Sequence, residues 1–300
     1  MSRDITVCVA TFKRPLGLAR LLESLANQDA DGLVYSIVVV DNDAQGSARG
    51  VVERFRSSKA IEIAYDIEPV RGIAQARNRS VRLAKGDFVA FVDDDEEVCR
   101  CWLRELYECA VRNDADAALG PVQPALPPGC PSWIKKGRFF VRPQHPNDAA
   151  VDRGRTCNVL VRKKWLDLFE LPFDPELGLR GAEDSDFFER IRRLGARFYW
   201  AEKAKVTEYV EKDRLTVRWL IMRAFRGGQG FASRHRPESP LRKARHYLYR
   251  SCLCLFSFVI SCITLPFAFH IAVRWLRRAF SNLGQMSVLF PYRYEEYRDR

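Results

Sequence analysis

Five acids stand side by side in Asp93-Asp94-Asp95-Glu96-Glu97, directly after the apolar run Phe88–Val92. Carboxylates this close repel one another, so folding alone does not favour them. A divalent cation would relieve the repulsion. Mg2+ and Mn2+ take carboxylate oxygens, and Mg2+ is commonly held by one or two carboxylates together with substrate phosphates. Asp93 and Asp95 are therefore expected metal ligands, and a metal on a diphosphate would act as a Lewis acid on a leaving group. Glu96 and Glu97 can serve simply to open the helix expected near Trp102, since acids favour helix N-termini. A second acidic group, Gly181-Ala182-Glu183-Asp184-Ser185-Asp186, opens another helix. A carboxylate positioned there can take the proton of an attacking hydroxyl. Plain helix capping is the alternative.

Three further groups suit a phosphorylated ligand. Asp41-Asn42 ends an apolar strand, where a carboxylate could accept a uracil imide N–H or meet a ribose; an Asx turn is the alternative. Arg71-Gly72 precedes a helix, which puts Arg71 near a base or phosphates, or leaves it solvated. Arg77 and Arg79 read as ordinary polar-face residues of that helix. Arg223–Gly230 (RAFRGGQG) combines arginines with flexible glycines, as expected of a diphosphate-binding or closing loop, or of a basic membrane contact. The four histidines lack the spacing of a metal-binding pair, and there is no P-loop, GxGxxG or nucleophile-elbow serine.

The elements that must hold these groups alternate. Ile5–Ala10, Tyr35–Val40, Ile61–Tyr65 and Phe88–Val92 read as short apolar strands, and Leu16–Ala26, Ala48–Phe55 and Ile73–Ala84 as helices between them. This pattern predicts an α/β fold with a mostly parallel, doubly wound sheet. Ligands of such sheets bind beyond the carboxyl ends of the strands, where Thr11-Phe12-Lys13-Arg14, Asp41-Asn42-Asp43 and Asp93-Asp94-Asp95 stand. Residues 121–155, with seven prolines, predict a long irregular loop. Structure is expected to resume at Thr156–Val161, with a helix over Glu183–Leu194, a strand over Phe198–Trp200 and a helix over Leu215–Phe225.

The chain has 300 residues and a formal net charge of +11. Its start shows no signal-peptide pattern, which predicts a cytosolic beginning. The nine cysteines lack metal-ligand spacing and read as reduced. Residues 212–250 carry eleven Lys or Arg against Asp213 and Glu238, a segment that seeks phosphate in nucleic acid, lipid head groups or a nucleotide. Cys252–Val273 follows without a single Lys, Arg, Asp or Glu, and Arg274, Arg277 and Arg278 close it. An apolar run flanked by arginines predicts a membrane-associated tail, by a full span, a re-entrant loop or an interfacial helix; a buried helical hairpin of a soluble protein is the alternative. The expected division is a catalytic domain over 1–235 and a basic, hydrophobic tail over 236–300.

The order Val9–Pro15 (VATFKRP), Val39-Val40-Asp41-Asn42, Arg71–Asn78 (RGIAQARN), Phe91–Glu96 (FVDDDE) and Glu183-Asp184 resembles family 2 glycosyltransferases over roughly residues 5–230. Within them, Val206–Gly228 is similar to bacterial exopolysaccharide transferases of the succinoglycan type. The resemblance implies a GT-A fold and an inverting transfer from a nucleotide sugar, most often UDP-linked, with Mn2+ or Mg2+. It implies a donor site of Thr11, Phe12, Arg14, Asp41, Asn42, Arg71, Asp93, Asp94, Asn158 and Arg226, with Asp93 and Asp95 on the metal. Asp184 would be the base, with Glu183 second. Many members carry a histidine near the position of Glu208, and this chain does not. QxxRW is absent too, so addition of a single sugar is expected rather than polymerisation. The implied partners are a nucleotide sugar, a lipid-linked or saccharide acceptor and a membrane surface, at the cytoplasmic face of a bacterial inner membrane, without nucleic acid. The alternatives are a nucleotidyltransferase, a nucleic-acid-binding protein and an inactive scaffold of the same fold.

Overall fold

The computed structural model describes residues 4–30, 32–58, 61–179, 181–235 and 239–288. Contacts divide the chain into two compact units. One comprises 1–125 and 142–209, the other 126–141 and 210–300. The division expected from composition lay at 235/236, and residues 236–238 are outside the described ones. The contacts divide elsewhere because the helix that follows residue 216 packs with the tail.

The first unit is built on an eight-stranded sheet. In chain order its strands are β1 (Asp4–Thr11), β2 (Val34–Asp41), β3 (Ile63–Ile67), β4 (Phe88–Phe91), β6 (Ala117–Leu119), β8 (Ala150–Val151), β9 (Val159–Arg162) and β10 (Phe198–Trp200). The spatial order is β3-β2-β1-β4-β9-β6-β10-β8. The four expected strands are parallel, and β6 and β10 run parallel to each other. β9 enters antiparallel between β4 and β6, and β8 is antiparallel at the edge, so the sheet is mixed. A small second sheet joins β5 (Glu96–Val98), β11 (Val206–Tyr209) and β7 (Val122–Ala125).

β1 and β2 are apolar at nearly every position because both faces of the sheet are covered. Val7, Val9, Ile37 and Val39 face α1 (Pro15–Ala26), α2 (Arg49–Ser58) and α4 (Trp102–Arg112). Cys8, Val38 and Val40, one residue out of phase, face α3 (Ile73–Leu83) and α7 (Glu183–Arg193). α1 buries Leu18, Leu21, Leu22 and Leu25 at helical spacing, each contributing about 1.5–3 kcal/mol. It starts sharply because Pro15 occupies its first turn. The remaining helices are α5 (Ser132–Gly137), α6 (Lys163–Leu166), α8 (Val217–Arg234), α9 (Pro240–Thr264) and α10 (Phe269–Ser287). The proline-rich stretch 121–155 thus contains β7, α5 and β8 rather than loop alone. All nine cysteines are free.

In the second unit α10 packs against α5, α8 and α9. α8 and α10 approach through reciprocal glycines. A Cβ on Gly228 would lie 2.1 Å from the Ser281 carbonyl oxygen, and one on Gly284 would lie 2.0 Å from that of Phe225. Arg223–Gly230 therefore lies inside a packed helix, and the closing-loop reading of its glycines does not hold.

Candidate active site

The acidic turn leaves β4 and enters β5, and neighbours fasten it on two sides. Tyr209 N–H donates to the Asp95 carbonyl at 3.0 Å, and Tyr209 Oη donates to Glu97 at 2.6 Å. On the other side the first turn of α1 touches the Asp94 backbone. A Cβ at Gly17 would come within 2.5 Å of the Asp94 carbonyl oxygen, so only glycine permits this approach.

Three arginines from separate elements meet the acids. Arg14 Nη1 donates to Asp94 and to Asp95, each at 3.1 Å. Arg77, on the buried face of α3, donates through Nη2 to Asp93 at 3.0 Å and through Nη1 to Glu183. Arg142 Nη2 donates to Glu208 at 2.5 Å, and its Nη1 faces the Cys157 sulfur. Glu208 lies opposite Glu96 in the β5–β11 register. Six carboxyl groups (Asp93, Asp94, Asp95, Glu96, Glu183, Glu208) thus surround three guanidiniums, and acid is in excess.

The excess is felt in the titration of these groups. Burial pushes Asp94 up to about 6, with Arg14 opposing and Asp95 adding to the rise. Burial also raises Asp93, against the pull of Arg77, and the charges on Asp95 and Glu208 add to it. Glu96 is raised well above the usual carboxylate range by burial and then by Asp93. Its Oε1 is buried without a hydrogen-bond partner, while Oε2 accepts from the Asp93 N–H at 2.9 Å. The Cys157 thiol is raised by burial and, beyond that, by Asp93 and Asp184, while Arg142 pulls it down. Asp93, Glu96, Asp184 and Arg142 therefore share one electrostatic neighbourhood.

This setting suits a divalent cation: excess buried carboxylate, an orphan oxygen, and Asp93 with one oxygen on Arg77 and its side chain 38% exposed. Among the described residues no group of three or more His, Cys, Asp and Glu has the arrangement of a complete metal site. Two carboxylates completed by substrate phosphates is the form such sites take with Mg2+.

The other expected residues divide by where their polar atoms point. Phe12 and Arg71 come together, the guanidinium lying 3.9 Å over the ring centre, and both stay partly exposed. Asp184 is partly exposed at the start of α7, with Oδ1 accepting from the Ser185 N–H at 2.5 Å. Glu183 is buried, 3% exposed. The residue before it, Ala182, has φ of 81°, a left-handed conformation that costs a non-glycine residue about 1 kcal/mol or more.

Four of the expected donor-site residues make hydrogen bonds within the protein. Asp41 is 0% exposed and accepts from Asp43 N–H, Ala48 N–H and Tyr65 Oη, so it holds the turn after β2. Asn42 donates to the carbonyls of Glu68 and Val70 and accepts from Gly72 N–H, so it fixes the loop that presents Arg71. Thr11 donates to Asp94 Oδ2 at 2.8 Å. Asn158 accepts from Trp102 Nε1 and donates to the carbonyls of Pro121 and Ala204, which ties strands together. Arg226 belongs to α8 of the second unit.

The pattern of glycosyl transferase family 2 matches residues 6–165. The chain is also 38% identical over 227 residues to the succinoglycan biosynthesis protein ExoM of Rhizobium meliloti, covering 75% of this chain and 72% of that one. The chain belongs to glycosyl transferase family 2. It is a glycosyltransferase of GT-A fold. Two solved structures share the fold at low identity. Mannosyltransferase PcManGT of Pyrobaculum calidifontis, in complex with GDP-Man and Mn2+, superposes with a TM-score of 0.63 at 17% identity, covering 95% of this chain and 87% of that one. S. aureus TarS 1-349, in complex with UDP, superposes at 0.55 and 18% identity, covering 100% and 95%.

Arg77, Arg142 and Cys157 adjoin the acids without being expected there, and Arg77, read from sequence as an ordinary polar-face residue, is buried at 8% exposed. Arg77 had a signal: with Ala74, Asn78 and Val81 it sits at helical spacing on the buried face of α3. Arg142 had none, since it lies in the proline-rich stretch without periodicity.

Proposed function

We propose that this glycosyltransferase moves a single sugar, with inversion, from a nucleotide sugar to a lipid-linked or saccharide acceptor at the cytoplasmic face of a bacterial inner membrane. The observation that carries the reading is Arg77. One guanidinium bridges Asp93 of the acidic turn and Glu183 of the α7 start, so donor-side and base-side carboxylates are held in one network. The names of relatives support the finer points: succinoglycan biosynthesis for ExoM, UDP for TarS, and GDP-Man with Mn2+ for PcManGT. A UDP-linked donor and exopolysaccharide assembly are the readings adopted.

In this proposal Asp93 and Asp95 hold Mn2+ or Mg2+, which when bound offsets charge on the leaving diphosphate. The Phe12–Arg71 pair offers a flat cationic surface to the nucleotide. Asp41, Asn42 and Thr11 act behind it by fixing the loops that carry it. Asp184 accepts the acceptor hydroxyl proton as that oxygen attacks the anomeric carbon and the bond to phosphate breaks on the opposite face. Glu183, buried against Arg77, serves to orient rather than to exchange protons. The test is product analysis of the full chain with UDP-sugars, Mn2+ and membrane lipid extract. Release of UDP with transfer of one sugar is expected, while no transfer from UDP-sugars, together with pyrophosphate formed from UTP and a sugar 1-phosphate, would identify a nucleotidyltransferase instead.

A further inference from the structure

α9 is inside out. Its positions buried within the protein are Ser257 and Ser261, the first 0% exposed, whereas Leu255, Phe256, Phe258, Val259 and Ile263 project outward. Only 11% of its most apolar stretch is buried. In water this wastes apolar area and hides hydroxyls. Against lipid it is the expected arrangement, with small and polar residues at the helix seam and large apolar ones outward.

The apolar run is also folded back on itself. It turns at Leu265–Ala268, where Phe267 is 86% exposed, and α10 returns antiparallel along α9. Polar rungs fasten the pair: Ser261 Oγ to the Ala272 carbonyl at 2.9 Å, Cys254 Sγ to that of Ala279 at 3.5 Å, and Arg250 Nη1 to Asn282 Oδ1 at 3.3 Å. α9 is long enough overall to cross a bilayer, but Arg242, Lys243, Arg245 and Arg250 occupy its first part, and the uncharged stretch 251–264 is about 20 Å long, short of the roughly 30 Å hydrocarbon core. On the return, Arg274 follows Phe269 by five positions. Arg242, Lys243 and Arg245 are exposed in the first turns of α9, where their charge suits anionic head groups.

The geometry points to a re-entrant hairpin: α9 and α10 enter one leaflet of an anionic membrane, apolar turn first, and leave on the side they entered. This deepens the membrane-surface part of the proposed function and rests on it alone. The exposed double substitution Phe256→Asp/Val259→Asp should weaken flotation of the full chain with phosphatidylglycerol-containing vesicles by roughly tenfold or more, with UDP binding in detergent unchanged. Unchanged flotation would overturn the proposal. Topology is read with a membrane-impermeant maleimide on inner-membrane vesicles, against the wild-type background. Ser239→Cys and Val288→Cys should label from the same side, and Phe267→Cys, like native Cys262, from neither. Labelling of Val288→Cys from the opposite side would show a single span, and labelling of Phe267→Cys from the far side would show two; either contradicts the hairpin. The two readings fail separately: a chain that binds UDP but does not float sinks the hairpin alone, and one that floats but binds no nucleotide sinks only the transferase chemistry.

Discussion

At the scale of residues, Arg77 and Asp93 form one ion pair yet should respond differently to substitution. Arg77→Ala breaks the buried pair that Arg77 forms with Glu183, which is 3% exposed, and breaking such a pair costs up to about 3–5 kcal/mol of stability. Asp93→Ala removes a carboxylate whose side chain is 38% exposed, and Arg77 keeps Glu183. Asp93→Ala should therefore abolish transfer with stability unchanged within about 1 kcal/mol, whereas Arg77→Ala should lose both. Urea unfolding beside a transfer assay checks this, and equal destabilisation by the two variants would contradict it. The acids were legible from type and spacing, because adjacent carboxylates at a strand end have few purely structural uses. Their partners were harder to read. Asp41, Asn42 and Asn158 occur where a ligand contact and an internal hydrogen bond have the same sequence signature, so the internal bonds they make were not legible.

At the scale of elements, the site depends on how closely α1 approaches the acidic turn. Gly17→Ala puts a methyl 2.5 Å from the Asp94 carbonyl oxygen, against backbone that cannot swing aside. A loss of about 1–3 kcal/mol is expected, with reduced transfer, and thermal unfolding of the variant measures the first. α3 is tied to β3 by Arg79, whose Nε and Nη2 hold both oxygens of Asp66 at 2.6 and 3.0 Å. That contact keeps the Asp66 carboxyl below its ordinary value. A depressed carboxyl contributes stability above its unfolded pKa and loses it as pH falls through the folded one. Asp66→Asn should thus flatten the acid limb of the stability curve below about pH 4, by less than about 1 kcal/mol because the pair is one-third exposed. An identical acid limb in wild type and variant would speak against the pair. Strands β1 to β4 and helices α1 to α3 were legible because apolar periodicity and covered faces coincide there. β9 was legible only as structure resuming after the proline-rich stretch, and not in direction, because antiparallel insertion depends on the whole chain path.

At the scale of the molecule, sequence order alone revealed an α/β fold and an apolar tail, but not how the chain divides. The basic stretch after residue 212 looked like part of a catalytic domain, yet α8 packs on α10 through Gly228 and Gly284. That pairing of two glycines 56 positions apart has no local signature. A chain cut at 235 would strip α8 of its partner, so the whole protein is the proper material for binding work. The most direct test of the central claim is calorimetric titration of the full chain with UDP in Mn2+, repeated in EDTA and with Asp95→Ala. Binding that needs Mn2+ and is lost in the variant is expected. Equal binding in EDTA, or none of either UDP or GDP by folded protein, would contradict a metal-assisted donor site at the acidic turn.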